Sequence, residues 1–358
     1  MRVTLVTYDD EPPIGGQGSF VVGLRGALSD LGVEVTTIAG HGMHAISYPR
    51  RSGRAPLDFS WFLRHNRKII EATEPDCIHV MGGPGGVLYW EPKDGGTPVV
   101  YSATHTYRQA HGRGSVKRLL VPLERRAYSR AHMVMAISHT TAAAVEGLGI
   151  PRNRITVIPP GVPQPPEEGR SSRYRFTDRT ILFVGRLEHE KGVTDAMDVM
   201  EQAAREFGAK GVIVGRGALR DAVAHRALAS DALTYCGFLP DEELAALYDA
   251  AAIVLMPSAY EGLGLVGVEG MVHGACLVAY DVDGVRDLAP SGCALVPAGD
   301  REALLRACRE LLSSEDNLSS ASQAQREWAQ RVYSWKSASL STAAVYKTAI
   351  EALHSRAE

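Results

Sequence analysis

Two glutamates, Glu261 and Glu269, flank the start of a helix that the pattern places near Gly264, directly after an apolar run. The N–H groups of residues 264–266 would have no partner within that helix, and with the helix dipole they favour an anion such as a diphosphate. Glu269 follows about 7.5 Å along the axis, where a carboxylate can accept from a ribose diol. Glu261 would face a sugar hydroxyl. The alternative is that Glu261 is a solvated loop residue and that Glu269 is an exposed helix residue with no ligand.

A second candidate segment, residues 185–192 (GRLEHEKG), directly follows the apolar run 181–184. Its two cations, Arg186 and Lys191, would stand at the carboxyl end of a strand and beside a helix start, where they can neutralise a phosphate group. The alternative is a surface turn in which Glu188 and Glu190 compensate the two positive charges.

Two further patterns suggest other chemistries. Gly15, Gly16 and Gly18 form a GGxG cluster, which predicts a turn over 15–18. The G-x-G-x-x-G spacing of a nicotinamide-dependent oxidoreductase is absent, and no acid ends the second strand. Asp281 and Asp283 spell DxD, a pattern whose two carboxylates can chelate a divalent metal that holds a diphosphate. Here we interpret it as a loop that caps a helix near residues 285–288, and we expect no metal.

The elements that must hold these residues alternate along the chain. Apolar runs predict strands at 3–7, 33–38, 77–80, 99–102, 133–137, 155–158, 180–184, 211–214, 233–235, 252–256 and 276–280. Helical patterns occur between them, among them 20–31, 302–312, 319–331 and 336–354. Strands that alternate with helices indicate βαβ units and parallel sheets, so the fold class is α/β.

A proline-rich stretch, residues 159–166 (PPGVPQPP), divides the two βα series. Proline opposes helix and favours an extended connector, so we place a domain boundary there. We predict an N-terminal domain over 1–162, a second domain over 163–335, and a C-terminal helix over 336–358 that packs back on the N-terminal domain.

Composition narrows the class of protein. The chain has 358 residues, 45% of them hydrophobic, and a net charge of −3 from 38 Lys and Arg against 41 Asp and Glu. This balance is typical of a globular protein and lacks the dense basic surface of a nucleic-acid binder. The five cysteines form no CxxC pair, and no apolar stretch is long enough to span a membrane. We therefore expect a cytoplasmic protein.

Taken together, the motifs resemble one family. The segment GRLEHEKG at 185–192, the turn CGFLP at 236–240 and the E-x7-E pattern at 261–269 resemble the retaining GT-B glycosyltransferases of the group 1 type. The glycine cluster at 15–18, DCIHV at 76–80, AISHTT at 136–141 and VIPPGV at 157–162 match further segments of that family. The resemblance covers nearly the whole chain and implies a GT-B architecture, in which two Rossmann-like, doubly wound parallel-sheet domains face a cleft.

The resemblance also implies that the C-terminal domain, 163–335, binds a nucleotide-diphosphate sugar and that the N-terminal domain, 1–162, is the acceptor side. It implies that Arg186 and Lys191 grip the diphosphate, that Glu269 holds the ribose and that Glu261 holds the donor sugar. The other donor-binding positions that it implies are those of the glycine loop, the base turn and the helix start: Gly15, Gly16, Phe238, Leu239, Gly264, Leu265 and Val266.

The same resemblance implies catalysis with retention by front-face departure and attack, in which the leaving diphosphate deprotonates the acceptor hydroxyl. It gives catalytic roles to Glu261, Arg186, Lys191 and His105, and it implies no cofactor and no metal. His105 matches a histidine beside the transferred sugar, although a lone histidine is more often structural. The family's His-Asp pair is here His105-Thr106, which departs from a partner-carboxylate role.

The expected partners are a nucleotide sugar and a hydroxyl acceptor, which could be a natural product, a glycan or a lipid head group. Residues 105–130 carry many cations against the single acid Glu124. This stretch suggests a weak peripheral contact with an anionic acceptor or the inner membrane surface; the alternative is a packed helix with a solvated basic face. Rival functions are a GT-B sugar phosphorylase, a nucleotide-sugar epimerase and a non-catalytic nucleotide-sugar-binding protein.

Overall fold

A computed structural model describes residues 1–14, 16–50, 55–88, 96–110, 119–165 and 179–354. The chain divides into two compact units. The first unit comprises Met1–Gly161 and Trp335–Glu358, and the second comprises Val162–Ser334. Among the described residues, no helix is both long enough and apolar enough to cross a membrane.

The first unit is built on a parallel sheet of six strands: β1 (Arg2–Thr7), β2 (Glu34–Ala39), β3 (Cys77–Gly82), β4 (Val99–Ala103), β5 (Met133–Ala136) and β6 (Ile155–Val157). The strand order is β2-β1-β3-β4-β5-β6, and all neighbours run parallel. The central strands are buried on both faces, as the nearly continuous apolar runs predict.

The helices of the first unit cover both faces of this sheet. Before the boundary they are α1 (Gly16–Asp30), α2 (Ala55–His65), α3 (Lys68–Glu71), α4 (Tyr107–Ala110), α5 (Val121–Arg130) and α6 (His139–Glu146), with a short 3₁₀ turn at Arg152–Arg154. One core includes Phe59, Leu63 and Tyr128. The other core joins Leu24 of α1 to Tyr346 near the end of the chain.

The second unit has its own parallel sheet of six strands: β7 (Thr180–Val184), β8 (Lys210–Val214), β9 (Leu233–Gly237), β10 (Ile253–Met256), β11 (Cys276–Tyr280) and β12 (Ala294–Val296). The order is β12-β11-β10-β7-β8-β9, so the direction of winding reverses between the neighbours β7 and β10. In sheets of this kind ligands bind beyond the carboxyl ends of the strands at that reversal.

The remaining helices are α7 (Val193–Phe207), α8 (Arg220–Leu228), α9 (Asp241–Ala250), α10 (Leu265–Val272), α11 (Arg301–Leu312), α12 (Glu315–Val332) and α13 (Trp335–His354). Two short 3₁₀ turns lie at His189–Lys191 and Val285–Ser291. Buried positions recur along α7 with a helical period (Val193, Ala196, Met197, Val199, Met200 and Ala203), and this buried side packs on the sheet. Helix α13 belongs to the first unit, where it packs against α1.

A buried histidine ties α13 to the first sheet. His79 of β3 lies with Nδ1 2.6 Å from the Tyr346 hydroxyl and Nε2 2.8 Å from Ser102 Oγ. Burial lowers the pKa of His79 to about 3, so the ring is neutral and both nitrogens are used in hydrogen bonds. The sequence suggested no function for His79, and its contacts are those of a structural residue.

The predicted α/β fold class, with two Rossmann-like parallel sheets, is confirmed, but details such as the following differ from the predictions. Helix α1 begins at Gly16 and ends at Asp30, whereas the pattern indicated a turn over 15–18 and a helix over 20–31. Strand β12 was not predicted; it has three half-buried residues and no alternation to detect. The 3₁₀ turn at Val285–Ser291 is preceded by Gly284 and has no side-chain cap.

Candidate active site

The loops that follow β7 and β10 meet at the reversal of the second sheet. The first loop, residues 185–192, carries Arg186 and Lys191, and the second, residues 257–264, carries Glu261. The Ala259 N–H donates to the Glu190 carbonyl at 2.8 Å. Two segments that are far apart in sequence are thereby fixed to one another at the position where sheets of this order bind ligands.

Gly192 makes the close approach of these loops possible. Its φ is +69°, and a Cβ at this position would lie 2.0 Å from the carbonyl oxygen of Pro257. Only glycine accepts both the left-handed backbone and the lack of space. The last position of GRLEHEKG is therefore required by packing at the site.

Lys191 and Glu261 form an ion pair between the two loops. Lys191 Nζ lies 2.6 Å from Glu261 Oε1, and the two side chains are 19% and 16% exposed. Ser258 Oγ donates to the same oxygen at 2.7 Å. The sequence assigned the two residues to different parts of a ligand and did not indicate their direct contact, nor the role of Ser258.

Arg186 has a different environment. Its side chain is 64% exposed and pairs with Glu190 on the same loop. The structure brings Lys191 and Glu261 together, and Arg186 lies on their loop with a carboxylate partner of its own.

Helix α10 begins beside these loops with a glycine in the left-handed region. Gly264 has φ +76°, and a Cβ there would lie 2.9 Å from Met256 Cε. Leu265 and Val266 form the first helical positions and are half-buried. The first N–H groups of a helix lack partners within it, so this end of α10 can donate to an anion.

Glu269 lies one turn further along α10 and is half-buried. The Tyr248 hydroxyl of α9 donates to Glu269 Oε2 at 2.9 Å. Burial raises the pKa of Glu269 to about 7, while the hydrogen bond from Tyr248 acts in the opposite direction. Sequence reasoning missed Tyr248, which the pattern presents only as an apolar position of a helix.

The turn after β9 presents an aromatic ring to solvent. Phe238 is 67% exposed, whereas Leu239 is buried. The Arg216 guanidinium lies 4.7 Å from the centre of the Phe238 ring, a cation–π arrangement. The family resemblance implies that Phe238 and Leu239 contact the nucleotide base. No sequence motif indicates Arg216, which lies after β8.

The predicted residues of the first unit lie at the carboxyl ends of its strands. His105 follows β4, is half-buried, and hydrogen-bonds through Nδ1 to Thr104 Oγ1 at 3.2 Å. A Cβ at Gly83 would lie 2.5 Å from the His105 carbonyl oxygen, so the loops after β3 and β4 pack closely. Gly16 is the first residue of α1, and Gly15 lies outside the described residues.

Of the two described glycines of the GGxG cluster, Gly18 is the one that has no space for a side chain. A Cβ there would lie 2.5 Å from Asp9 Oδ2, whereas a Cβ at Gly16 meets nothing within 4 Å. The Asp9 carboxylate also accepts from the Ile14 N–H at 3.0 Å. Packing against the loop after β1 therefore restricts residue 18 more than residue 16.

The DxD carboxylates are held by an arginine. Arg286 donates from Nε to Asp281 at 2.6 Å and from Nη1 to Asp283 at 2.8 Å. The expectation that this loop caps the following helix is wrong, since Asp281 and Asp283 bond to Arg286 and the cap position is Gly284. In the described part of the chain, no three His, Cys, Asp or Glu side chains cluster as a metal site would require.

The basic stretch 105–130 is described only in part, because residues 111–118 lie outside the described residues. In the described part, α5 buries Glu124, Ala127 and Tyr128 and exposes its arginines at 125 and 126. Leu119 and Leu123 are exposed as well, 75% and 41%.

Comparisons with known proteins show that two protein-family models match this chain. The glycosyltransferase family 4 model matches residues 14–164, and the model of glycosyl transferases group 1 matches residues 178–314. Among curated relatives, the 2-deoxystreptamine N-acetyl-D-glucosaminyltransferase of Streptomyces fradiae is 34% identical over 218 residues, which are 56% of this chain and 51% of the relative. The chain spans about half the length of curated relatives such as this one.

Solved structures share the fold over nearly the whole chain. Sucrose-phosphate synthase from Thermosynechococcus elongatus is 19% identical and superposes with a TM-score of 0.76, covering 98% of this chain and 100% of that one. Anabaena HepE, solved in complex with UDP and glucose, is 17% identical with a TM-score of 0.71, covering 97% and 100%. At such identities the likeness establishes the fold alone.

Proposed function

The chain belongs to the group 1 glycosyltransferases of GT-B architecture, and we propose that it transfers a sugar from a nucleoside diphosphate sugar to a hydroxyl group of an acceptor. The observation that carries the proposal is the meeting of Lys191 and Glu261 at the reversal of the second sheet. A cation, a carboxylate and the free start of α10 follow neighbouring strands there, which suits an anionic diphosphate and a hydroxylated sugar.

Donor binding exchanges the partners within this site. Lys191 is paired with Glu261 in the structure. The donor diphosphate carries more charge than one carboxylate, so we propose that it takes over Lys191 and the first N–H groups of α10. Glu261 is then released to accept from a hydroxyl of the donor sugar, while Glu269 accepts from the ribose diol.

The reaction that we propose retains the configuration at the anomeric carbon. The bond between that carbon and the diphosphate oxygen breaks, and a bond to the acceptor oxygen forms on the same face. The acceptor proton passes to the departing phosphate oxygen. Lys191 and Arg186 stabilise the negative charge on the leaving group, so the protein acts mainly by positioning and electrostatics.

The charge on these two cations and on the α10 dipole makes a resident metal unnecessary, and we propose that the protein works without one. We assign His105 to the acceptor side, where a neutral imidazole can hydrogen-bond a sugar or acceptor hydroxyl. The name of the Streptomyces fradiae relative makes an aminocyclitol the first acceptor to test, and the HepE complex makes UDP the first donor nucleotide.

A transfer assay followed by NMR tests the proposal. UDP-glucose and UDP-N-acetylglucosamine, with GDP- and ADP-linked counterparts, are each incubated with 2-deoxystreptamine, simple sugars and a lipid-linked polyol in EDTA. We expect one donor to yield a product whose anomeric coupling equals that of the donor. Inversion, a requirement for a divalent metal, or product formation only with inorganic phosphate would contradict the proposal, and the last would favour a phosphorylase.

A further inference from the structure

Two polar contacts connect α9 to α10 behind the candidate ribose site. Adjacent residues of α9, Tyr248 and Asp249, meet Glu269 within α10 and His273, which directly follows α10. The Tyr248 hydroxyl lies 2.9 Å from Glu269 Oε2, and Asp249 Oδ1 lies 2.6 Å from His273 Nδ1. These contacts fix the rotation of one helix relative to the other.

The orientation of the Tyr248 ring is constrained on its face as well. The ring stacks on the His273 imidazole with centroids 5.6 Å apart and planes inclined by 28°. Tyr248 is 3% exposed, and the His273 side chain is 5% exposed. A ring that is buried and stacked on an imidazole that is itself hydrogen-bonded to Asp249 has little freedom, so its hydroxyl is aimed at Glu269.

The chemistry of Glu269 explains what this hydroxyl contributes. A half-buried carboxylate prefers its neutral form, and burial raises the pKa of Glu269 to about 7. A hydroxyl donor stabilises the anion and holds one of its two oxygens, which directs the other oxygen. Asp241, at the start of α9, adds repulsion to the anion, which makes a compensating donor more important.

We propose that Tyr248 is a positioning residue for donor binding: it orients the Glu269 carboxylate toward the nucleotide ribose, and the His273–Asp249 pair holds Tyr248 in place. The proposal rests on the assignment of Glu269 to the ribose in the proposed function. It adds three residues that do not touch the donor but determine how well the carboxylate is presented.

The test compares Tyr248→Phe with Tyr280→Phe. Both variants keep a buried ring in the second unit and lose one hydroxyl that bonds a carboxylate, since Tyr280 donates to Asp195 at 2.8 Å. The ligands are UDP, GDP and ADP, and the one that binds best is then compared with its 2′-deoxy form by calorimetry. Steady-state kinetics and the melting temperature complete the measurements.

We expect Tyr248→Phe to weaken binding of the ribonucleotide about tenfold, since the bond that it removes is made to a charged group. Binding of the 2′-deoxynucleotide should weaken less, so discrimination between the two ligands falls. The donor KM should rise with kcat within about twofold, because the ribose contact is equal in the ground and transition states. Tyr280→Phe should leave the discrimination unchanged.

Equal losses for both ligands, or identical behaviour of the two tyrosine variants, would overturn the inference. Glu269→Ala separates this failure from a failure of the proposed function. If Glu269→Ala weakens ribonucleotide binding and Tyr248→Phe does not, only the positioning role is wrong. If Glu269→Ala has no effect, or no nucleotide binds the wild type, the ribose assignment itself is wrong.

Discussion

Lys191 Nζ lies 2.6 Å from Glu261 Oε1, although the two residues are 70 positions apart in the chain. One follows β7 and the other follows β10, the two strands between which the winding of the second sheet reverses. The site therefore contains its own counterion for Lys191. We propose that a donor diphosphate, which carries more charge than one carboxylate, displaces Glu261 from Lys191.

Replacing Lys191 removes the cation that is best placed for the diphosphate. We expect Lys191→Ala to reduce turnover at least about a hundredfold, the usual effect of removing one stabilising donor from a transition state. The matched control is Lys210→Ala. Lys210 is the first residue of β8, and its Nζ donates to the carbonyl oxygen of Asp231. Steady-state rates measure the effect, and comparable rates in Lys191→Ala and Lys210→Ala would rule out the phosphate role.

Arg186 should matter less than Lys191. Its side chain is 64% exposed and already paired with Glu190, so solvent screens its charge. We expect Arg186→Ala to lower kcat/KM about tenfold. Arg220→Ala, which removes another exposed and ion-paired arginine, should have no effect. A loss in Arg186→Ala as large as that in Lys191→Ala would mean that Arg186 leaves Glu190 and becomes the principal phosphate ligand.

Two glycines with almost the same φ distinguish the cost of a left-handed backbone from the cost of a steric clash of the side chain. Gly192 and Gly208 have φ of +69° and +67°, but only a Cβ at Gly192 would collide, 2.0 Å from the Pro257 carbonyl oxygen. We expect Gly208→Ala to cost about 1 kcal/mol of stability from the left-handed backbone alone. Gly192→Ala should cost more and should also weaken donor binding, because the two loops must separate.

Denaturant unfolding and nucleotide titration of both alanine variants measure this difference. Equal losses of stability, with donor binding intact in Gly192→Ala, would show that the contact between the two loops is not needed for the site.

Buried Glu124 should make stability depend on pH. It is 0% exposed and accepts from the Tyr107 N–H at 3.1 Å, and burial raises its pKa from 4.5 to about 7. A carboxyl whose pKa is raised on folding contributes stability that is fully present below its unfolded pKa and is lost as the pH rises through the folded pKa. The contribution of Glu124 therefore falls between about pH 4.5 and pH 7.

Glu124→Gln lacks this titration, so relative to the wild type it should gain stability as the pH rises from 5 to 8. The gain should reach at most about 3 kcal/mol, since one pKa unit corresponds to about 1.4 kcal/mol. Unfolding by urea across this range measures it, with Glu146→Gln on the exposed surface of α6 as the control. A difference between Glu124→Gln and the wild type that does not vary with pH would contradict the raised pKa.

Much of the fold could be predicted from the sequence, because doubly buried parallel strands produce nearly continuous apolar runs. The segments Thr180–Val184 and Cys276–Tyr280 have the predicted bounds. The predicted ends of helices and strands were wrong where the local sequence gives little indication of where an element begins. Glycines at the start of α1 indicated a turn, yet the helix includes Gly16 because the surrounding packing overrides the low helix propensity of glycine.

The candidate site was predictable to the level of its loops. Parallel strands end at one edge of a sheet, so motifs after β7 and β10 had to lie near each other. Which side chains pair was not predictable, because contacts such as Lys191–Glu261 and Tyr248–Glu269 depend on packing between segments distant in sequence. Tyr248 belongs to no sequence motif. The position of α9 against α10 determines that its hydroxyl donates to Glu269.

The most direct test of the central claim is a calorimetric titration of the protein with UDP, GDP and ADP in EDTA. The account predicts that one nucleoside diphosphate binds to the wild type, that binding weakens at least about tenfold in both Lys191→Ala and Glu269→Ala, and that Lys210→Ala binds like the wild type. If that nucleotide bound both site variants as tightly as the wild type, or if none of the three bound without a metal, the donor site would not be the one at the β7–β10 reversal.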